Sequence, residues 1–153
     1  MTLVLADTNV LVRLANPTHE HHGSAKEALS ALAKSSAVVC LVPQTCYEYY
    51  AVVTRPSENN DLGMTPAAAS EAVDRMIRRF RFLRDERGVF DAWAELVEAH
   101  AVRGKASHDA RMAAAAVRHG VAHVLTFNGS DFERYDKLAV LHPDDAPAFA
   151  RRH

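Results

Sequence analysis

Four acidic residues lie near the ends of short apolar segments or at the starts of helices. They are Asp7, Glu48, Asp109 and Asp131. If the apolar segments form a parallel sheet, these carboxylates converge at the edge where the strands end. At about 4 Å and an effective dielectric constant near 20, each like-charged pair would repel by roughly 4 kcal/mol. Because all the donors are oxygens, a hard divalent cation such as Mg²⁺ or Mn²⁺ would relieve that repulsion.

Taken alone, most of these acids have an ordinary structural explanation. Asp7 and Asp109 lie where a carboxylate stabilises the N-terminus of a helix, and Asp131 follows a Gly-Ser pair as a turn residue would. Glu48 is harder to explain, since it is the only charge between positions 43 and 55. Burying that charge unpaired would be costly. It is the combination of the four acids that predicts a metal site.

The elements that must position these acids alternate along the chain. Short apolar runs predict strands at residues 3–6, 37–42, 121–127 and 138–141, the first two typical of buried parallel strands, and residues 80–83 are a more exposed strand candidate. Helices are predicted between them, including one from Thr65-Pro66 to about Arg79 and one that Ser107 caps, running to His119 before Gly120. This alternation predicts an α/β fold, a three-layer α/β/α sandwich with a central, mostly parallel sheet.

Composition indicates an ordinary globular protein. The chain has 153 residues, 48% of them apolar, and is expected to form a single domain over 1–150 with a loose tail at 151–153. Its 18 basic and 19 acidic residues leave no overall basic field, so contact with nucleic acid needs a local patch. Cys40 and Cys46 lie in apolar stretches and are expected to be reduced core residues. With no signal or membrane-spanning segment, a cytoplasmic location is expected.

The segments that carry the acids resemble the motifs of PIN-domain ribonucleases. Residues 5–11, Leu-Ala-Asp-Thr-Asn-Val-Leu, resemble the first motif, and Glu48 in its apolar helix resembles the second acid. Residues 107–114 and 125–132 are similar to the third and fourth motifs. The resemblance covers nearly the whole chain, in order. Within the family, the chain most resembles the VapC toxins of bacterial toxin–antitoxin pairs.

The resemblance implies a PIN-like fold and Mg²⁺-dependent endonucleolytic cleavage of RNA by a metal-activated water. It also implies a homodimer and inhibition by a cognate antitoxin protein, with no membrane partner. Asp7, Glu48, Asp109 and Asp131 become the catalytic cluster, with Asn9 as a supporting polar group. Asp7 and Asp109 are expected to be the direct metal ligands, and Glu48 could assist deprotonation of the water or bind a second ion.

Further side chains are expected to support this cluster. Ser107 and Thr126 are candidate hydrogen-bond partners of the metal ligands. Some relatives carry an acid two residues after the threonine, where this chain has Asn128. Either Asn128 or Asp131 therefore completes the site, and whether one or two ions bind stays open.

Two further points stay open. Arg78, Arg79 and Arg81 belong to a local basic tract that is either an RNA-backbone contact or a solvated face paired with nearby acids. The alternative functions are a haloacid-dehalogenase-like phosphotransferase and a catalytically silent RNA-binding PIN module. The phosphotransferase would require a second aspartate two positions after Asp7, where this chain has Asn9.

Overall fold

The computed structural model describes residues 1–56 and 62–153. Within them, five strands form one parallel sheet in the order β3-β2-β1-β4-β5. The strands are β1 (Leu3–Ala6), β2 (Val38–Leu41), β3 (Arg81–Phe82), β4 (His123–Leu125) and β5 (Ala139–Leu141). All five predicted strands are therefore confirmed. The first has the predicted bounds, and the other four are shorter than their apolar runs.

The helices connect these strands. They are α1 (Thr8–Leu14), α2 (His22–Ala33), α3 (Pro43–Val53), α4 (Pro66–Arg79), α5 (Arg87–Ala99), α6 (Ala106–Arg118) and α7 (Ala146–Arg151).

Of the two predicted helix caps, one is confirmed. The Thr65 side chain caps α4 by accepting from the Ala68 amide, as the sequence predicts. The prediction that Ser107 caps α6 is wrong. Gly104 has φ +58°, and the resulting turn places Ser107 inside the helix, where its hydroxyl donates to Gly104 O.

Helices cover both faces of the sheet. Alternate strand residues such as Val4 and Leu41 face one apolar cluster, which α1, α2, α3, α4 and α7 complete. Their neighbours, Leu5 and Val42, face a second cluster that includes α5 and α6. The buried alanines of α6 allow this helix to approach the sheet closely. The three-layer α/β/α sandwich is confirmed.

The strand order changes direction at β1. β2 and β3 lie on one side of it, and β4 and β5 lie on the other. In open parallel sheets, ligands bind outside the carboxyl ends of the strands at such a point. Here Asp7 follows β1, α3 begins after β2, and Thr126 follows β4. The Asp7 amide donates to Leu125 O at 2.9 Å, which ties the ends of β1 and β4 together.

The remaining expectations concern smaller segments. The sequence of residues 57–63 is polar and turn-like, and residues 57–61 of this stretch lie outside the described residues. In the expected tail, Arg151 is the last residue of α7 and the His153 ring stacks on Phe149, with centroids 4.1 Å apart. Both cysteines are buried and free. None of the helices in the described ranges is long and apolar enough to cross a membrane.

Candidate active site

Asp7 lies at the N-cap of α1, directly after the central strand, and its side chain is almost fully buried. Its Oδ1 accepts from the Thr8 amide at 2.7 Å. Its Oδ2 accepts from the Thr126 hydroxyl at 2.8 Å and from Asn9 Nδ2 at 3.2 Å. Each carboxylate oxygen has two lone pairs, so Oδ2 is saturated and Oδ1 retains one acceptor position.

Hydrogen bonds of Thr126 and Asn9 hold the ends of β1 and β4 together around Asp7. The fully buried Thr126 hydroxyl donates to Asp7 and accepts from Asn9 Nδ2 at 3.1 Å and the Asn128 amide at 3.0 Å. Its one proton and both lone pairs are therefore used. Asn9 Oδ1 in turn accepts from the Phe127 amide at 3.2 Å. The structure thus brings the predicted supporting residues Asn9, Thr126 and Asn128 to the first acid.

Glu48 is half-buried on α3 and is held by two side chains. The Thr8 hydroxyl donates to Oε1 at 2.8 Å, and Gln44 Nε2 donates to Oε2 at 3.3 Å. Gln44 Nε2 also donates to His108 O at 2.7 Å, which links α3 to the first turn of α6. Sequence reasoning missed Thr8 and Gln44. The four-residue spacing of Gln44 and Glu48 on one helix was the available signal.

Asp109 is half-buried in the first turn of α6. Two donors hold the backbone of this turn: Gln44 bonds His108 O, and Trp93 Nε1 donates to Ser107 O at 2.9 Å. The carboxylate therefore projects from a helix end that is fixed on two sides. The Ser107 hydroxyl, predicted to support a ligand, turns instead to Gly104 O.

All four predicted acids line one cleft of about 500 Å³. Asn9, Asn128 and two residues that sequence reasoning did not single out, Arg13 and Arg55, also line it. Ser107 does not belong to this lining. The arginines predicted to bind RNA also lie elsewhere: Arg78 and Arg79 at the exposed end of α4, and Arg81 in the edge strand β3. Their contact with RNA stays a prediction.

The environment of the cleft disfavours ionisation of two acids. Burial raises the pKa of Asp7 to about 6, against the lowering effect of the Thr126 and Thr8 hydrogen bonds, and Glu48 and Asp131 add repulsion. Burial also raises the pKa of Asp109 to about 6, with repulsion from Asp131, Asp7 and Glu48, while His108 opposes the rise. The acids are therefore close enough to affect one another's ionisation.

The donor chemistry of the cleft suits a hard divalent cation. Every negatively charged group in its lining is a carboxylate, and Asp7 Oδ1 retains an acceptor position. Across residues 1–56 and 62–153, no three His, Cys, Asp or Glu side chains form a complete metal-binding group by themselves. Mg²⁺ commonly keeps several waters and takes only one or two protein carboxylates. The residues present therefore fit such an ion, with Asp7 and Asp109 able to hold it.

Comparisons with known proteins agree with this architecture. The PIN domain profile matches residues 4–138. Among similar solved structures is VapBC2 from Rickettsia felis bound to a promoter DNA fragment, with 17% identity, 92% of this chain and 98% of that chain covered, and TM-score 0.69. The sarcin–ricin loop cleaving toxin VapC20 from Mycobacterium tuberculosis is 20% identical to this chain, with 86% of this chain and 95% of that chain covered and a TM-score of 0.66. DNA-bound VapBC from Salmonella typhimurium has 21% identity, coverages of 94% and 99%, and TM-score 0.66. No curated protein sequence gives a significant match.

Proposed function

Because the chain belongs to the PIN-domain family, we propose that it is a metal-dependent endoribonuclease that hydrolyses RNA phosphodiester bonds. The observation that carries the proposal is the convergence of four carboxylates on one cleft. Such convergence opposes folding when no cation is bound, so stability does not explain it. A hard cation and a phosphate substrate explain both the charge and the all-oxygen donor set.

The acidic side chains of the cleft would have separate roles in the reaction. A bound Mg²⁺ would supply an acidified water and offset the charge of the reacting phosphate. Asp7, through its remaining Oδ1 lone pair, and Asp109 are the proposed ligands. Glu48 is oriented by Thr8 and Gln44 and would accept a proton from the attacking water. Asp131 lies exposed in the cleft lining, where it would add negative charge beside the cation.

We also propose that this nuclease is the toxin of a toxin–antitoxin pair, acts as a homodimer and is inhibited by a cognate antitoxin. The support is the likeness of fold to VapBC assemblies and the order of the acidic motifs along the chain. The arrangement of the gene tests the pairing. We expect a short neighbouring reading frame whose product has a DNA-binding N-terminus and co-purifies with this chain. A chain that purifies alone from cells expressing both reading frames would contradict it.

The phosphotransferase alternative is not proposed. It requires a second catalytic carboxylate at the position of Asn9, and the amide of Asn9 is occupied by the hydrogen bonds that join Asp7 to Thr126. A silent RNA-binding module keeps the fold but gives no cleavage. The experiment below separates it from a nuclease.

The test is cleavage of total cellular RNA by the purified protein with Mg²⁺, followed by sequencing of the new RNA ends. We expect Asp7→Asn and Asp109→Asn to abolish discrete new ends, and chelation of the metal to do the same. Asp74→Asn, an exposed acid on α4 outside the cleft, is the matched control and should cut like the wild type. Wild-type activity in either cleft variant would reject the assignment. RNA binding without cleavage by the wild type would favour the silent module.

A further inference from the structure

Two guanidinium groups line the end of the cleft that lies away from the sheet edge. Arg13 is in the last turn of α1, and Arg55 follows the C-terminus of α3. Asp7 precedes Arg13 by six residues and Glu48 precedes Arg55 by seven, which corresponds to about 9 Å and about 10.5 Å along a helix. The Thr8–Glu48 hydrogen bond holds the two helices side by side at the acidic end. The cleft is therefore negative at one end and positive at the other.

The acids of the cleft do not neutralise these arginines. Among the described residues, neither Arg13 nor Arg55 takes part in an ion pair. The Asp7 carboxylate is bonded by Thr8, Asn9 and Thr126 instead. Within residues 1–56 and 62–153, the positive charge at this end of the cleft is therefore not neutralised by an ion pair.

The backbone at both arginines is anchored. A ring nitrogen of His22 lies 3.0 Å from Arg13 O, and the Gly63 amide donates to Arg55 O at 2.9 Å. Between the two charged ends, the lining includes the apolar side chains of Val12 and Val52. An extended ligand can therefore pass from the carboxylates along these apolar side chains to two arginines whose backbone positions are held by hydrogen bonds.

We propose that Arg13 and Arg55 bind the RNA backbone at a phosphate that does not react, on one side of the scissile bond, and so set which bond lies against the carboxylates. This rests on the proposed nuclease function. Guanidinium groups match phosphate oxygens in a planar, bidentate geometry. The phosphate at these arginines is a neighbour of the reacting one because about 9 Å of helix separates the two ends of the cleft.

The test is the affinity of a short, mixed-sequence single-stranded RNA, measured by fluorescence anisotropy over a range of salt concentrations. Asp109→Asn is the background, so that the probe stays intact. In the Asp109→Asn background, we expect Arg13→Gln and Arg55→Gln each to weaken the affinity for the RNA about tenfold, as loss of a charge-assisted hydrogen bond does. Each should also reduce the magnitude of the salt slope by about 0.7, the value for one phosphate contact on a single strand. Arg103→Gln, an exposed arginine outside the cleft, is the control and should change neither quantity.

Circular dichroism and thermal melting of each variant will show that the fold is retained. Unchanged affinity and slope in both cleft variants would overturn the proposal, even where Asp7→Asn abolishes cleavage. Cleavage by Asp7→Asn would instead overturn the assignment of Asp7 to the active site, and no cleavage by the wild type would overturn the nuclease function; in both cases the arginine measurement stands by itself. Poly-L-glutamate serves as a second probe. If it binds as tightly as the RNA and needs the same arginines, the ligand is an acidic protein segment and the proposal is wrong.

Discussion

The stability of the metal-free protein should fall as the pH rises from about 5 to about 7.5. The pKa of Asp7 is about 6 in the folded chain, against an ordinary value of 3.8 that applies after unfolding. Between these values the native state binds more protons than the unfolded state. The free energy of unfolding therefore decreases with increasing pH, and the full stability is present only below about pH 3.8, where the Asp7 carboxyl is protonated in both the folded and the unfolded state.

The size of the effect follows from the shift. About two pKa units correspond to about 3 kcal/mol of lost stability well above pH 6. Roughly half of that loss is already present at pH 5, so a further 1.5 kcal/mol or so is lost between about pH 5 and 7.5. Asp109 acts in the same direction, with a smaller effect because solvent screens its more exposed carboxylate.

The comparison of the wild type with Asp7→Asn measures this contribution together with the smaller part of the Asp109 shift that repulsion from Asp7 causes. The amide does not titrate, and the hydrogen bonds that it loses change stability equally at every pH. Burial lowers the pKa of His19 and His123, but these groups titrate alike in both proteins and cancel in the difference. Relative to the wild type, Asp7→Asn should therefore become more stable by about 1.5 kcal/mol over this pH range.

Urea unfolding followed by circular dichroism, with chelator present, measures that difference. Asp74→Asn, which replaces an exposed acid outside the cleft, is the matched control. Saturating Mg²⁺ should stabilise the wild type more than Asp7→Asn, because a ligand stabilises the state that binds it. A gap between wild type and Asp7→Asn that stays constant from pH 5 to 7.5 in chelator would refute the account of the cleft as a buried, mutually repelling cluster.

Three substitutions test the frame around the acids. Thr126→Val should lower the free energy of unfolding by about 2–3 kcal/mol, because it removes a hydroxyl that makes three hydrogen bonds and leaves its buried partners unpaired. Thr126→Ser keeps the hydroxyl and should lower the free energy of unfolding much less. Gln44→Leu should lower kcat for RNA cleavage with little change in KM, because it frees Glu48 without removing a substrate contact. A Cβ at Gly129 would lie 2.8 Å from Val140 Cγ1, so Gly129→Ala should cost about 1–2 kcal/mol in chemical unfolding, and adding Val140→Ala should restore much of it.

The order of elements and the convergence of the acids could be predicted from the sequence because both depend on local patterns. Apolar runs locate the strands, and parallel strands bring the residues that follow them to one edge. The ends of the strands were less predictable. Thr126 and Phe127 extend the apolar run of β4, yet Thr126 is buried for a different reason: its hydroxyl bonds Asp7 and Asn9. Burial at a site and burial in a strand look alike in a sequence.

Contacts between distant positions account for what the sequence did not indicate. Thr8 and Glu48 are 40 residues apart, and Gln44 reaches the carbonyl of His108 across 64 residues. No local rule pairs such positions. The error at Ser107 has a related cause, because serine is a good helix cap but, after the left-handed turn at Gly104, α6 begins at Ala106, two residues earlier than a Ser107 cap predicts. Local propensity predicted a cap, and the path of the preceding loop decided the outcome.

The hydrogen bonds around Asp7 decide whether the cleft can bind a cation at neutral pH. Burial, with repulsion from Glu48 and Asp131, raises the pKa of Asp7, while the Thr126 hydroxyl and the Thr8 amide lower it. With the pKa balanced at about 6, about nine-tenths of the Asp7 side chains are ionised at pH 7. Without these donors the pKa would be higher still, and a protonated Asp7 would be a poor ligand. The donors therefore do more than hold Asp7 in position, because they keep a buried acid charged at a cost in stability that a bound cation can offset.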